Sequence, residues 1–154
     1  MRKVLLLAAL LVACSKAETP KVDSAAMAPA AAAPAPLTAA DVDGKWSGMS
    51  MAEGSDSVVN RWTVESVSGN EGKLTLEGAK TPIAVTRVLD GDSLVATSAP
   101  FTNPATPKAP PVTFRSVGRL KDGKLVGTAV TMLAAKPDSI VSRTRWEATR
   151  VAPK

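Results

Sequence analysis

A two-residue alternation of apolar and polar side chains is the feature of this sequence that most restricts its fold. It begins after residue 40, where short alternating runs replace an Ala- and Pro-rich stretch, and no segment keeps the period of an amphipathic helix. Asp90-Gly91 and Asp122-Gly123 are tight-turn dipeptides between such runs. The pattern predicts eight strands, at residues 44–51, 57–68, 73–77, 82–89, 92–97, 112–120, 124–133 and 139–151.

The connections between these predicted strands are short, apart from the one at residues 98–111. Successive strands joined by hairpins form a meander, and a meander of eight strands closes most naturally into a barrel. We therefore expect an all-β domain at residues 41–154, an eight-stranded antiparallel up-and-down barrel.

One face of most predicted strands carries the bulky apolar residues and is expected to point inward, because successive side chains of a strand lie on opposite faces. The seventh strand is ambiguous: Leu125 shares a face with Gly127 and Ala129, while the other face is also apolar. The residues expected to line the barrel interior are Trp62, Val64, Leu76, Val85, Leu94 and Phe114.

The N-terminus has the order of charge and hydrophobicity found in secretory signal peptides. Two basic residues precede an apolar run at residues 4–12, which is too short to span a bilayer as a helix. The run ends in Leu11-Val12-Ala13-Cys14, which holds the only cysteine of the chain. This segment resembles the lipobox of bacterial lipoproteins, which are cleaved just before the cysteine and acylated on it. The resemblance implies a signal peptide at residues 1–13 and lipidation of Cys14, against the alternative of a buried structural thiol.

The lipobox also implies an address, the bacterial cell envelope, with Cys14 as the membrane anchor. Ser15 follows the cysteine, and by resemblance to the sorting rules of some Gram-negative bacteria this favours the outer membrane, with the protein facing the periplasm. Residues 14–40 are rich in Ala and Pro and lack the bulky apolar residues that would offset the entropy of ordering them. We interpret them as a tether, either a stalk that holds the domain off the membrane or a passive spacer.

Gly44-Lys45-Trp46 stands near the start of the first predicted strand, and Arg143-Thr144-Arg145-Trp146 lies in the last. The first motif resembles the Gly-x-Trp signature of lipocalins and the wider calycin barrels, in which the Trp closes the barrel under an Arg from the last strand. The resemblance implies a lipocalin-like barrel with Trp46 in that role and Arg145, or alternatively Arg143, as its partner. Trp146 then points outward. The chain is shorter than most lipocalins and lacks their disulfides and C-terminal helix.

Composition argues against most enzyme and metal chemistry. The chain has no His and one Cys, so neither a Ser-His-Asp triad nor a His-containing zinc site can form. Gly91-Asp92-Ser93-Leu94 resembles the nucleophile block of a large esterase family, but Ser93 has no histidine to act as its base. The net charge of +5 is spread along the chain and does not indicate nucleic-acid binding. We expect no enzyme activity, no metal site and no cofactor.

Two hypotheses for the function remain. In the first, the barrel binds a small apolar ligand inside a lipid-anchored envelope protein. In the second, the barrel is filled by its own side chains, and the protein is a scaffold or inhibitor that contacts an envelope partner through its outer surface and the loop at residues 98–111. That loop has five prolines and Phe101, and it could be a lid over the open end, a protein contact or a rigid connection.

Overall fold

The structure is a computed structural model that describes residues 35–66 and 69–152. The signal peptide, Cys14 and most of the tether predicted from the sequence lie outside these residues. The described chain forms one short helix and eight strands, which are α1 (Ala39–Val42), β1 (Gly44–Ala52), β2 (Val58–Ser66), β3 (Glu71–Leu76), β4 (Ile83–Asp90), β5 (Ser93–Ser98), β6 (Val112–Lys121), β7 (Lys124–Leu133) and β8 (Lys136–Arg150).

The strands form a closed barrel in which each pairs antiparallel with its neighbour in sequence, and β8 returns to β1. This confirms the predicted all-β up-and-down barrel. The closing register aligns Trp46 with Arg150 and Ser50 with Trp146. The predicted strand ends differ from the observed ones by a few residues at most, because strand ends depend on pairing as well as on local pattern.

The two ends of the barrel differ in their connections. At one end, called the closed end here, α1 lies with the short turns β2–β3, β4–β5 and β6–β7. The β6–β7 turn has positive φ at both Asp122 (51°) and Gly123 (75°), as a type I′ hairpin requires. The opposite end, called the open end, carries the β1–β2, β3–β4 and β7–β8 connections and the long loop at residues 99–111.

Trp46 closes the barrel at the closed end. Its side chain is fully buried, and its indole N–H donates to the carbonyl oxygen of Val42 at 3.0 Å. The Arg150 guanidinium lies 4.8 Å from the centre of the Trp46 ring. It also donates to three carbonyls of the segment around α1, those of Asp43 at 2.7 Å, Ala40 at 3.0 Å and Asp41 at 2.6 Å. One arginine therefore holds both the tryptophan and the helix in place.

The expected pairing of Trp46 with Arg145 is wrong, and so is the outward direction of Trp146. Trp146 and Ala148 are buried inside the barrel, so Arg150 shares their face and Arg145 points outward. Arg145 forms an ion pair with Asp56 near the open end. Arg143 is exposed and has no contact with Trp46. The cause is the register: β8 runs toward the closed end, and only its last residue reaches the level of Trp46.

Packing on the barrel begins at Leu37, before the predicted boundary at residue 41. Leu37 packs against the cluster around Trp46, and its backbone N–H donates to the carbonyl of Gly91 at 2.8 Å. The Thr38 side chain and backbone donate to the Asp41 carboxylate, and these bonds lower the pKa of Asp41 below its usual value. The end of the Ala- and Pro-rich stretch is thus part of the closed end.

Substitutions of Arg150 and Arg145 should show that the contacts of Arg150 with Trp46 and α1 stabilise the barrel more than the exposed ion pair of Arg145 with Asp56 does. We expect Arg150→Met to lower the free energy of unfolding by about 1–3 kcal/mol, because it removes a cation over an indole and a donor to three carbonyls. Arg145→Met is the matched control and should cost about 0–1 kcal/mol, as an exposed ion pair does. Urea unfolding followed by tryptophan fluorescence measures both, and equal losses would contradict this assignment of roles.

Candidate functional site

The barrel contains an internal cavity of about 440 Å³. Its wall includes inward-facing side chains from every strand, together with Val42 of α1. Each residue expected from the sequence to line the interior does so, namely Trp62, Val64, Leu76, Val85, Leu94 and Phe114. The structure therefore brings the predicted set together around one space.

At the closed end the cavity has an apolar base with one buried cation. Trp46, Val42, Leu94 and Leu125 belong to a buried cluster that forms this base. Arg87 lies among them and is 5% exposed. Its position follows from β4, where Ile83 and Val85 point inward and Arg87 continues on the same face.

Two tryptophans, Trp62 of β2 and Trp146 of β8, line the cavity and contact each other. The Trp62 and Trp146 rings meet edge to face, with centres 5.9 Å apart and planes at 71°. The Trp62 indole N–H donates to the Ser50 hydroxyl at 3.0 Å. The Trp62 ring lies against Gly48 and the Trp146 ring against Gly118 and Gly127, so closely that a methyl group at any of these glycines would overlap a ring. The glycines therefore make room for the rings in a narrow barrel.

The loop at residues 99–111 forms part of the cavity wall at the open end. Phe101 makes a two-bond bridge to Val112, with N···O distances of 2.9 and 2.8 Å. Its ring packs edge to face on Phe114, with centres 6.2 Å apart. Phe101 is half-buried. Four further residues of the loop line the cavity: Asn103, Thr106, Ala109 and Pro110.

The ambiguous seventh strand is resolved by its pairing. Leu125 is 4% exposed and lines the cavity with Ala129, so this face is the inner one. The opposite face carries Val126, Val130 and Met132 and is partly exposed on the outside of the barrel. Pairing of β7 with both β6 and β8 fixes this choice, which the two-sided apolar sequence alone left open.

The polar groups of the cavity wall were not predicted from the sequence. Among the described residues, the buried side-chain atoms without a partner within the protein are Asn60 Oδ1, Arg87 Nε and Trp146 Nε1, and all three side chains line the cavity. Because buried polar atoms are nearly always hydrogen-bonded, the presence of three unpaired ones in the wall of the same cavity is a distinctive feature of this cavity. The inward position of Arg87 could have been inferred from the alternation in β4; its exposure and contacts could not.

The other motifs noted in the sequence lie away from this cavity. Ser93 is at the β4–β5 turn, where its hydroxyl donates to Asp92 at 3.0 Å and accepts from Arg119 at 3.4 Å. No group of three or more Asp, Glu or Cys side chains in the described parts of the chain is placed to hold a metal ion. Across residues 35–66 and 69–152, no helix has the length and apolar character needed to cross a membrane.

Comparison with known proteins found no matching family model, no matching curated protein and no matching solved structure.

Proposed function

We propose that this protein is a non-catalytic binding protein that holds a small apolar ligand inside a lipocalin-like barrel. The observation that carries the proposal is the cavity of about 440 Å³ with a mainly apolar wall. Binding sites for small molecules are typically concave, apolar and about 300–1,000 Å³ in volume. A filled barrel, the alternative considered from the sequence, would leave no such space.

The arrangement of the wall favours a slender ligand. Apolar side chains run from the cluster at Trp46 to Phe101 and Phe114 at the open end. An aliphatic chain placed along this path would be removed from water, which contributes about 25 cal/mol for each Å² of apolar surface. The loop at residues 99–111 borders the open end and is the segment that such a ligand would pass.

A titration with 1-dodecanol, an uncharged single-chain probe, tests ligand binding. All three tryptophans of the chain line the cavity, so their fluorescence should change on binding. Ala129→Phe places a ring in the cavity and should weaken binding by about tenfold or more, because it takes the space of several methylenes. Thr128→Phe is the matched control, since Thr128 is the exposed, outward neighbour on β7 and its replacement should leave the affinity unchanged. Absence of binding, or equal binding by both variants, would contradict the proposal.

We propose further that the barrel belongs to a lipid-anchored protein of the bacterial cell envelope. The support is the sequence Leu11-Val12-Ala13-Cys14 after a short apolar run. Several acyl chains on one cysteine would anchor the protein durably, since each buried methylene contributes about 0.8 kcal/mol. Labelling with a radioactive fatty acid should mark the chain, and Cys14→Ala should abolish the label. Persistent labelling of that variant would overturn the anchor.

A further inference from the structure

The charged residues that border the cavity within the described residues are Arg87, whose side chain points inward, and Arg143, which is exposed and has its side chain on the outer face of β8; none is a carboxylate. Arg87 lies at the closed end and Arg143 near the open end. The wall between them is mainly apolar. The inward-facing charged group of the cavity is therefore the Arg87 guanidinium at the closed end of the apolar path, where it is paired with Asp43.

Arg87 is held in place at the closed end by contacts on one side of its guanidinium. Its terminal nitrogens donate to the carbonyls of Val42 at 3.4 Å and Gly69 at 2.9 Å, and to the Asp43 carboxylate at 3.0 Å. The Nε–H group is buried and has no partner within the protein. A guanidinium has five N–H donors and no acceptor, so Arg87 keeps donors free while its position is fixed.

We propose that the cavity selects amphiphiles with a carboxylate head group, which enter head first and bind at the closed end against Arg87. This inference rests on the proposed function and names its ligand class. The ligand's carboxylate accepts a hydrogen bond from Arg87 Nε, and its aliphatic chain extends past Trp62 and Trp146 toward the open end.

Burial decides between Arg87 and Arg143 as the contact for the head group. Arg143 is exposed, and an exposed ion pair contributes little because water and salt screen it. Arg87 is 5% exposed, and charges interact more strongly where water is excluded. Its Nε–H is also a buried donor without a partner in the protein, whereas a terminal nitrogen of the guanidinium already donates to Asp43.

A head-group series on the unaltered protein tests the inference without any mutation. The probes are dodecanoate, 1-dodecanol and dodecyltrimethylammonium, which share one chain length, at pH 8 so that the acid is ionised. We expect dodecanoate to bind about tenfold more tightly than dodecanol and the cation to bind most weakly, as one charge-assisted hydrogen bond predicts. Equal affinities of the acid and the alcohol would overturn the head-group assignment while leaving the proposed function intact. Failure of all three to bind would overturn the proposed function itself.

Substitutions then locate the head group. Arg87→Met should remove the preference for the acid, so that the ratio of the dodecanoate and dodecanol affinities falls from about ten to about one. Arg87→Lys keeps the charge and should retain part of the preference. Arg115→Met is the control, because Arg115 is an exposed arginine on the outer face of β6 and its loss should change neither affinity.

Arg143→Met shows whether the head group of the ligand lies at the closed end or at the open end of the cavity. We expect it to change dodecanoate affinity by less than about twofold, in keeping with an exposed contact. A tenfold loss in this variant, with the preference for the acid unchanged in Arg87→Lys, would place the head group at the open end and overturn head-first entry. Thermal unfolding of each variant shows whether it is folded; if Arg87→Met is not, Arg87→Lys and Arg143→Met still decide the question.

Discussion

Alanine at Gly127 is expected to destabilise the barrel by about 3 kcal/mol, near the upper end for overpacked cores. A Cβ atom there would overlap the carbonyl oxygen of Val117 and the Cα of Gly118, both backbone atoms, as well as the Trp146 ring. Neither backbone atom can move without shifting β6, so no change of rotamer relieves the overlap. Urea unfolding at equilibrium measures the loss.

Gly72→Ala is the matched control for this prediction. Gly72 also points into the barrel, but a Cβ there would meet its nearest neighbour, the Ser66 hydroxyl, at 3.4 Å, an ordinary contact. We expect a change within about 0.5 kcal/mol, or a small gain from the lower entropy of the unfolded chain. A similar loss of unfolding free energy at both glycines would show that the lack of space beside Trp146 is not what requires a glycine at position 127.

A double-mutant cycle isolates the contribution of the ring. At Gly118 the closest atoms to a built Cβ belong to the Trp146 side chain rather than to backbone. Gly118→Ala should therefore be destabilising alone and considerably less so in combination with Trp146→Leu. Additive losses would contradict the view that this glycine accommodates the indole.

Trp46→Ala is expected to cost about 3–5 kcal/mol, the range for removing a large buried aromatic side chain. Trp46 is 1% exposed, donates to Val42 and lies under Arg150, so its loss empties the closed end and releases α1. Denaturant unfolding followed by circular dichroism measures the change.

Trp46→Phe is the control for the closed end. It keeps an aromatic ring under Arg150 and loses the indole N–H, and we expect it to cost about half as much as Trp46→Ala or less. Equal costs would show that the hydrogen bond to Val42, rather than the packed ring, holds this end together.

The strands could be predicted because their signals are local. Alternation over a few residues and Asp-Gly turns suffice to place hairpins, and successive hairpins leave few ways to arrange eight strands. The inward residues followed from the same alternation, since Leu74 and Leu76 or Ile83 and Val85 can only point one way once one face is apolar.

The contacts that depend on register could not be read from the sequence. Arg143, Arg145 and Arg150 all lie in the last strand, and only the alignment of β8 with β1 brings Arg150 to the level of Trp46. For the same reason, the sequence did not determine which face of β7 points inward. The pairing of β7 with β6 and β8 shows that it is the face of Leu125. The volume of the cavity is harder still to predict from the sequence, because it depends on how much of the barrel interior the Trp62 and Trp146 side chains fill.

Native mass spectrometry of the full chain purified from a bacterial host tests the ligand-binding cavity most directly. We expect a bound mass of a few hundred daltons that organic solvent releases and that Ala129→Phe diminishes, while Thr128→Phe retains it. A bare mass that persists after incubation with a lipid extract, and after addition of dodecanoate, would contradict ligand binding in the cavity.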